Sequence, residues 1–575
     1  MSRTSEGLPG SQFRARWLPG VILILLFAGA LAWRLVDLDV RPMHTDEAVQ
    51  GIFFAQLLEG GGYTYDPTEF HGPTLYYLTL PLAWLAGQRS GAELTETTLR
   101  LLPVLFSVGL IPLLVLWRRW IGSHAVCWAA LFTALSPIHL YYARYYIQES
   151  LLVFFFFGFL TCVMRYLLSG RTAWVVAAGV FAGLTHATKE TSALMFAALF
   201  AAGLLVFAVS RWRRDEGWRI RQADIPWRVL AIGVLTAGVV SVTFYSSFFT
   251  HAQGVADSVL TYFHFADRAT GQGHEKPWFT HLQWIGWYRS GGFVWSESFL
   301  LVLAGVALLF SNDWKTPPES VPTIGRQERA TDAHGRTAAG SVAPRDIVYL
   351  LGAYGIILIA LYSAIPYKTP WLMLGPMQAV ALLAGVGAAA LIRRPPWIFA
   401  KGVMIVVLAA GTWQLGRQAH RVAFRFAADE RVPYVYSHTS SDAVRLSERI
   451  LRVVVRLDEA ERVVQVAGAE YWPLPWYLRS LDQVGYWSEW PGPLIAPVIV
   501  LDRDLSARAE TTLQETHVMQ LAGLRPGVLA CAWFRRDLWE TEIMGLSGDD
   551  SDGTVAPYEV ERNNRLRKRG RLQYM

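Results

Sequence analysis

The chain has 575 residues, of which 53% are hydrophobic and 17% are charged. Soluble domains carry about 25% charged residues, so the composition excludes an ordinary soluble protein and predicts an integral membrane protein. The net charge of +6 comes largely from arginine clusters between apolar segments, which is a signal of membrane topology and argues against nucleic-acid binding. Three cysteines exclude a disulfide framework and a cysteine-based zinc cluster.

About eleven apolar runs are long enough to cross a bilayer as helices. The first of them passes a small-residue stretch that could be mistaken for a signal-peptide cleavage site, and we interpret it as an uncleaved anchor. The sequence therefore predicts an all-α polytopic membrane protein. The runs are 17–37, 98–117, 124–141, 148–168, 173–188, 190–210, 228–249, 294–311, 346–364, 370–392 and 397–416.

The apolar segment 74–87 has only about fourteen residues, which is too short for an ordinary span. If it lies on the outer surface or dips into it, the positive-inside rule places every arginine cluster in the cytoplasm. If it spanned the membrane, all later clusters would face outward. We therefore expect a multi-pass protein of the plasma membrane whose polar motifs all face the extracytoplasmic side.

The first outer loop, 38–97, carries ionisable residues directly after the first span. Asp46 and Glu47 are adjacent, and His71 follows a glycine-rich stretch. Because ionisable groups at a membrane boundary are costly to bury, they indicate function. The Asp46 carboxylate can deprotonate an acceptor hydroxyl or help to hold a divalent metal ion. Alternatively, Thr45 or Asp46 caps the next helix, and Glu47 supports its first turn.

Three cations stand at the predicted outer ends of spans, namely Arg144, Lys189 and Lys368. We expect them to bind a substrate phosphate, for which the planar fork of arginine is well suited. Glu149 supplies a second carboxylate at the same depth. On the alternative interpretation, Arg144 and Glu149 only pair to anchor helix ends, and Lys189 is a snorkelling end residue.

Aromatic and histidine residues accompany these charges in the outer loops. Tyr367 and Trp371 flank Lys368 and are expected to contact substrate. His264 and His274 lie in one long outer loop and could ligate a metal with carboxylates nearby, although their spacing matches no ligand motif. A divalent metal ion is thus the one cofactor that the sequence brings into consideration.

The chain changes character after the last apolar run. Residues 420–540 are predicted to form an extracytoplasmic soluble α/β domain, with residues 1–419 as the membrane domain. The aromatic run 471–477 could stack on sugars, cover a membrane-side site or form a corner of the core. The expected helices are 440–455 and 505–515, the expected strands are 463–466, 495–501, 518–521 and 528–533, and the expected irregular parts are a disordered cytoplasmic loop at 312–345 and a flexible basic tail at 541–575.

These motifs resemble the GT-C superfamily of multi-span glycosyltransferases, in particular the dolichyl-phosphate-mannose–protein mannosyltransferases and the bacterial lipid A aminoarabinose transferases. A prokaryotic flippase activity-associated, mannosyltransferase-like subgroup shows similar stretches. The resemblance covers about residues 17–480, with Glu149 where relatives often have aspartate and Gly72 in place of a proline. It rests on Asp46-Glu47, His71-Gly72-Pro73, Arg144, Tyr146-Ile147-Gln148-Glu149, Thr188-Lys189-Glu190, Tyr367–Trp371 and Trp472–Tyr477.

The resemblance implies a GT-C fold and a sugar donor linked to a polyprenyl phosphate. Asp46 would be the catalytic base at the extracytoplasmic face, and the acceptor would be a glycan, a lipid or a protein. The expected partners are that donor, its acceptor and the lipid bilayer, with no nucleic acid. The alternative is a lipid-linked glycan flippase or its accessory, which should carry polar residues through the whole membrane depth rather than at one face.

Overall fold

The computed structural model describes residues 9–68, 71–212, 226–269, 275–311 and 344–547. The chain divides into two compact units. The larger unit comprises Met1–Val36, Phe53–Arg89 and Thr97–Tyr436. The smaller unit comprises Asp37–Ile52, Ser90–Glu96 and Ser437–Met575.

The larger unit is built almost entirely of helices, with one short hairpin of β1 (Tyr288–Ser290) and β2 (Phe293–Trp295). Two of its helices, α2 and α4, begin in segments of the smaller unit. The helices are α1 (Pro9–Leu35), α2 (Thr45–Leu58), α3 (Thr74–Leu85), α4 (Glu96–Val115), α5 (Arg118–Ile121), α6 (Ser123–Leu135), α7 (Pro137–Tyr142), α8 (Glu149–Ser169), α9 (Thr172–His186), α10 (Ser192–Trp212), α11 (Trp227–Tyr245), α12 (Gln253–Ala269), α13 (Thr280–Gly286), α14 (Ser298–Leu309), α15 (Pro344–Ala364), α16 (Leu374–Arg393) and α17 (Ile398–His420).

Eight helices in the described part of the chain are long and apolar enough to cross a membrane. Three shorter apolar helices, α6, α9 and α14, coincide with three further predicted runs. The predicted run 124–141 is divided between α6 and α7, because Pro137 lacks the N–H that a continuous helix would need. The predicted polytopic all-α architecture is thereby confirmed.

The segment that was too short to span, 74–87, forms the twelve-residue helix α3. At 1.5 Å per residue such a helix reaches about 18 Å, well short of a hydrocarbon core of about 30 Å. Its length agrees with the prediction that this segment does not cross the membrane. The side of the membrane on which it lies stays a prediction.

Helix α16 is the central helix of the larger unit, with nearly all of its residues buried. It is rich in alanine and glycine, which allows neighbouring backbones to approach closely. A Cβ atom on Gly385 would lie 2.4 Å from the carbonyl oxygen of Ala125, and one on Gly387 would lie 1.9 Å from that of Leu303. Small residues therefore let α6 and α14 pack on opposite sides of α16.

We predict that Gly387→Ala destabilises the protein by about 1–3 kcal/mol, because the added methyl group overlaps a backbone oxygen that cannot move freely. Gly402→Ala on α17 is the matched control, since its Cβ would meet no heavy atom within 4 Å. The control should be neutral or slightly stabilising. Thermal unfolding of the detergent-purified variants measures the difference, and equal unfolding temperatures would contradict this account of the packing.

The smaller unit contains one five-stranded sheet in the order β4-β3-β5-β7-β6. Strands β4, β3 and β5 are parallel, whereas β7 pairs antiparallel with both β5 and β6. Ser440 caps α18 through its hydroxyl, and Asp502 caps α20 through its carboxylate. The elements are α18 (Ser441–Val454), β3 (Val464–Ala467), α19 (Leu474–Tyr477), β4 (Val484–Trp487), β5 (Val498–Asp502), α20 (Arg503–Leu513), β6 (His517–Arg525), β7 (Val528–Arg535) and α21 (Arg536–Ser547).

The observed bounds differ from the predicted domains at three places. The predicted α/β domain 420–540 is replaced by a unit that begins at Ser437 and also includes Asp37–Ile52 and Ser90–Glu96 from the first outer loop. The predicted tail 541–575 begins inside a helix, since α21 continues to Ser547. The predicted loop 312–345 overlaps the first residues of α15; its remainder, 312–343, and residues 548–575 of the tail lie outside the described residues.

Candidate functional site

Four charged or titratable side chains meet in the larger unit as two ion pairs, which we name the carboxylate cluster. The Lys189 Nζ lies 2.5 Å from Glu149 Oε1, and the His71 Nδ1 lies 3.0 Å from Glu190 Oε2. The side chains of Glu149, Lys189 and Glu190 are each at most 6% exposed. Since isolated buried charges are very costly, their pairing is what allows this cluster to be buried.

The local backbone brings these residues together. Residues 187–191 form the turn between α9 and α10, which supplies Lys189 and Glu190. The segment around Gly72 packs onto this turn, where the Thr74 N–H donates to the Ala187 carbonyl oxygen and the hydroxyls of Thr74 and Thr188 are 2.8 Å apart. A Cβ on Gly72 would lie 2.2 Å from that same carbonyl oxygen. The close approach explains why glycine occupies this position.

Burial and pairing have opposite effects on Glu190. Burial acts to raise the pKa of this carboxyl group, but the charge and hydrogen bond of His71, together with the charge of Lys189, lower the pKa to about 2. Glu190 is therefore an ionised partner rather than a proton donor at neutral pH. Its Oε1 and the Oε2 of Glu149 have no hydrogen-bond partner in the described protein.

A small cavity borders the carboxylate cluster. Glu149 and Thr191 form its polar end, and most of its wall is apolar. The remaining lining residues come from α8, α10, α15, α16 and the turn before α16, and are Leu152, Val153, Met195, Tyr362, Trp371, Leu372 and Gly375. The structure thus brings together Glu149 and Trp371, which are far apart in sequence.

The other two predicted phosphate ligands make contacts with backbone carbonyl groups. Arg144 donates through Nη1 to the carbonyl oxygens of Arg34 and Val36 at the end of α1, and its guanidinium lies 4.5 Å from the Phe424 ring centroid. Lys368 donates to the carbonyl oxygens of Ser363 and Ile365. Burial lowers the pKa of Lys368. Both contacts stabilise helix ends, where carbonyl groups lack partners within the helix.

The structure brings no metal-binding group together in the described residues. No cluster of three or more His, Cys, Asp or Glu side chains there could hold an ion. His264 is exposed on α12, and His274 lies outside the described residues. Tyr367 forms a backbone bridge with Glu275 at the loop surface and does not line the cavity.

Asp46 and Glu47 belong to the smaller unit and have different surroundings. The Glu47 carboxylate is fully buried and accepts hydrogen bonds from the Arg41 side chain and the His44 N–H, both at 3.1 Å. His44 Nδ1 in turn accepts the Asp46 N–H at 3.0 Å. The first turn of α2 is thus capped by Glu47 and His44. Capping leaves the Asp46 side chain 45% exposed, with its Oδ1 3.8 Å from His44 Nδ1.

Arg525 is a cation that interacts electrostatically with the Asp46 carboxylate. Burial lowers the pKa of Arg525, and the negative charge of Asp46 opposes that shift. Arg525 also pairs with Glu470 and donates to the Trp472 carbonyl oxygen at 2.8 Å. The exposed carboxylate of Asp46 therefore lies in the field of a fixed positive charge.

Sequence reasoning missed one buried carboxyl group in the larger unit. Glu297 accepts hydrogen bonds from the Ser136 hydroxyl, the Ile138 N–H and the Tyr434 hydroxyl. Burial raises its pKa despite these three donors. The signal was available, because Glu297 is an ionisable residue inside the predicted span 294–311. Its contacts connect the start of α14 to the start of α7 and to Tyr434.

The arrangement of helices defines the class of fold to which the chain belongs. It has the GT-C fold, the polytopic fold of integral-membrane glycosyltransferases. Residues 72–254 match the family model of the dolichyl-phosphate-mannose-protein mannosyltransferases. That segment is less than half of the chain and contains three members of the carboxylate cluster, Glu149, Lys189 and Glu190.

Two solved structures show the similarity in detail. ArnT from Cupriavidus metallidurans bound to undecaprenyl phosphate aligns with a TM-score of 0.56 and 16% identity, over 88% of this chain and 97% of ArnT. The oligosaccharyltransferase AglB from Archaeoglobus fulgidus, in complex with an inhibitory peptide and a dolichol-phosphate, aligns with a TM-score of 0.50 and 11% identity, over 86% of this chain and 70% of AglB. The sequence matches none of the curated proteins with which it was compared.

The depressed pKa of Glu190 predicts a pH-dependent stability. The ionised form contributes above the ordinary pKa of 4.5, and this contribution of roughly 3 kcal/mol is lost as the pH falls towards the folded value of about 2. Glu190→Gln should therefore be less stable than the wild type at pH 6, with a difference that shrinks below pH 4.5. Thermal unfolding across this range is the measurement; a difference that is constant with pH would contradict the ion pair.

Proposed function

We propose that the protein is a membrane glycosyltransferase of the GT-C type, which moves a sugar from a polyprenyl-phosphate donor to an acceptor hydroxyl. The observation that carries the proposal is the carboxylate cluster beside an apolar cavity in the larger unit. An amphiphilic donor needs both surfaces, an apolar wall for its chain and charged groups for its head group. The sugar and the acceptor are left open by this argument.

Lys189 is our candidate for the cation that stabilises the departing phosphate. Its ammonium group pairs with Glu149, which lines the cavity, whereas Arg144 and Lys368 donate to backbone carbonyl groups. Negative charge grows on the phosphate as the sugar–phosphate bond breaks, and a fixed cation is worth most at that moment. Glu149 would hold Lys189 in place, and Trp371 would contact the donor from the cavity wall.

Asp46 is the proposed base that removes the proton from the acceptor hydroxyl. Its carboxylate is partly exposed and is not used in capping α2, whereas Glu47 is committed to that helix end. A base must be accessible and ionised to accept a proton. We therefore assign the chemistry to Asp46 and a supporting role to Glu47. His71, Arg144, Lys368 and Tyr367 remain predicted substrate-binding residues.

We also propose that these residues face the extracytoplasmic side, as the arginine distribution favours. A divalent metal ion has no fitting set of ligands among the described residues, and we derive no step through one. The flippase alternative differs in its outcome, since a flippase moves a lipid-linked sugar without breaking the sugar–phosphate bond.

Asp46→Asn should lower turnover by a factor on the order of 10² to 10⁴, because the amide cannot accept the hydroxyl proton. The assay supplies polyprenyl-phosphate sugars to the purified protein and measures released polyprenyl phosphate. Asp66→Asn is the matched control, since that carboxylate accepts hydrogen bonds from Thr68 in the same loop and should keep near wild-type turnover. Turnover of Asp46→Asn at the wild-type rate would remove Asp46 from the mechanism.

A mutant cycle tests Lys189 separately from its ion pair. Lys189→Met should destabilise the protein by about 3–5 kcal/mol, because it leaves the Glu149 carboxylate buried without its cation. Adding Glu149→Gln should recover most of this stability but not the turnover, which should stay about a hundredfold low for lack of a cation at the phosphate. Unfolding temperature and turnover of the four proteins are compared; wild-type turnover of the double variant would reduce Lys189 to a structural partner.

A further inference from the structure

The segment that carries Asp46, Asp37–Ile52, belongs to the same compact unit as the C-terminal sheet, which begins only at Val464. Three contacts connect them, and all three fall on the residues immediately before α2. The Met43 N–H donates to the Tyr477 hydroxyl at 2.7 Å. His438 Nε2 donates to the Pro42 carbonyl oxygen at 3.2 Å, and the rings of His438 and His44 lie 5.5 Å apart.

These contacts are buried, so water does not compete with them. Met43 is fully buried, and His44 and His438 are each 2% exposed. A hydrogen bond between buried groups resists opening, because either partner left alone would lose all its hydrogen bonding. The backbone from Pro42 to His44 is therefore held at the Pro42 carbonyl oxygen and at the Met43 N–H.

The restraint continues to Asp46 through His44. The His44 ring is fixed on one side by His438, and its Nδ1 accepts the Asp46 N–H. The accepting nitrogen carries no proton, so the neutral ring bears its hydrogen on Nε2. Tyr477 and His438 thus restrain Asp46 indirectly: they contact the loop residues Pro42–His44, and the His44 side chain caps the Asp46 N–H.

We propose that Tyr477 and His438 are positioning residues for the Asp46 base, and that the C-terminal part of the smaller unit thereby takes part in the reaction. This inference rests on the proposed function of Asp46. Neither residue needs to touch a substrate. They act by fixing the N-terminal turn of α2, and displacement of a catalytic group by about 1 Å can cost a hundredfold in rate.

The test compares variants that remove one hydrogen bond each. Tyr477→Phe deletes only the hydroxyl group, and His438→Ala deletes the ring. Each should lower kcat by about tenfold and change the KM for the donor by less than twofold, because the base is displaced while donor binding is not. His438→Gln should recover part of the loss, since its amide can also donate to Pro42. Tyr486→Phe on β4 removes a hydroxyl from the same unit and is the matched control.

Hydrogen exchange of residues 41–50 provides a readout that does not depend on activity. Tyr477→Phe should increase exchange at Met43 at least severalfold over both wild type and Tyr486→Phe, because the amide loses the Tyr477 hydroxyl as its acceptor. If exchange increases but the protein transfers no sugar, the restraint of Pro42–His44 by Tyr477 is supported and the proposed function fails. Unchanged exchange, or unchanged kcat with increased exchange in an active enzyme, would overturn the positioning role.

Discussion

The cost of burying charge beside a membrane governs the arrangement of the larger unit. Glu149, Lys189, Glu190 and His71 come from three separate stretches of chain, and the first three are buried charges that would be very costly to bury alone. They are tolerated as two adjacent pairs, 2.5 Å and 3.0 Å in length. The turn after α9 and the glycine at position 72 exist in their observed form because these pairs must close. The backbone conformation of this region and the burial of its charged side chains therefore depend on each other.

Adjacent carboxylates in the smaller unit show how environment separates two chemically similar residues. Glu47 is buried and accepts hydrogen bonds that complete the start of α2, whereas Asp46 is 45% exposed. The position in the helix explains the difference: Glu47 is the third residue of α2, and a side chain at that position can reach back to the N–H of the residue before the helix, His44. Glu47 completes the helix start, and this leaves the Asp46 carboxylate available for the proposed proton transfer.

Much of the fold follows from hydropathy and length, and the site does so only in part. The apolar runs locate the spans, and short runs rich in apolar residues locate β3, β5, β6 and β7. Strand β4 is only four residues long, and its weak pattern is visible only through its pairing with β3. Arg144 and Lys368 stand where phosphate ligands could stand, but the carbonyl groups to which they donate are properties of helix ends in three dimensions. The pairing of Pro42–His44 with Tyr477 and His438 is likewise a long-range contact that no local pattern records.

The two carboxylate oxygens without partners connect the ion pairs to the proposed reaction. Glu149 Oε2 and Glu190 Oε1 are buried, and a buried acceptor without a donor costs about 1–3 kcal/mol. A sugar carries several hydroxyl donors, so a bound donor head group could satisfy these oxygens while its phosphate meets Lys189. On the proposed function, hydrogen bonds from the sugar to Glu149 Oε2 and Glu190 Oε1 would offset the cost of burying these acceptors, and would therefore favour binding next to Lys189.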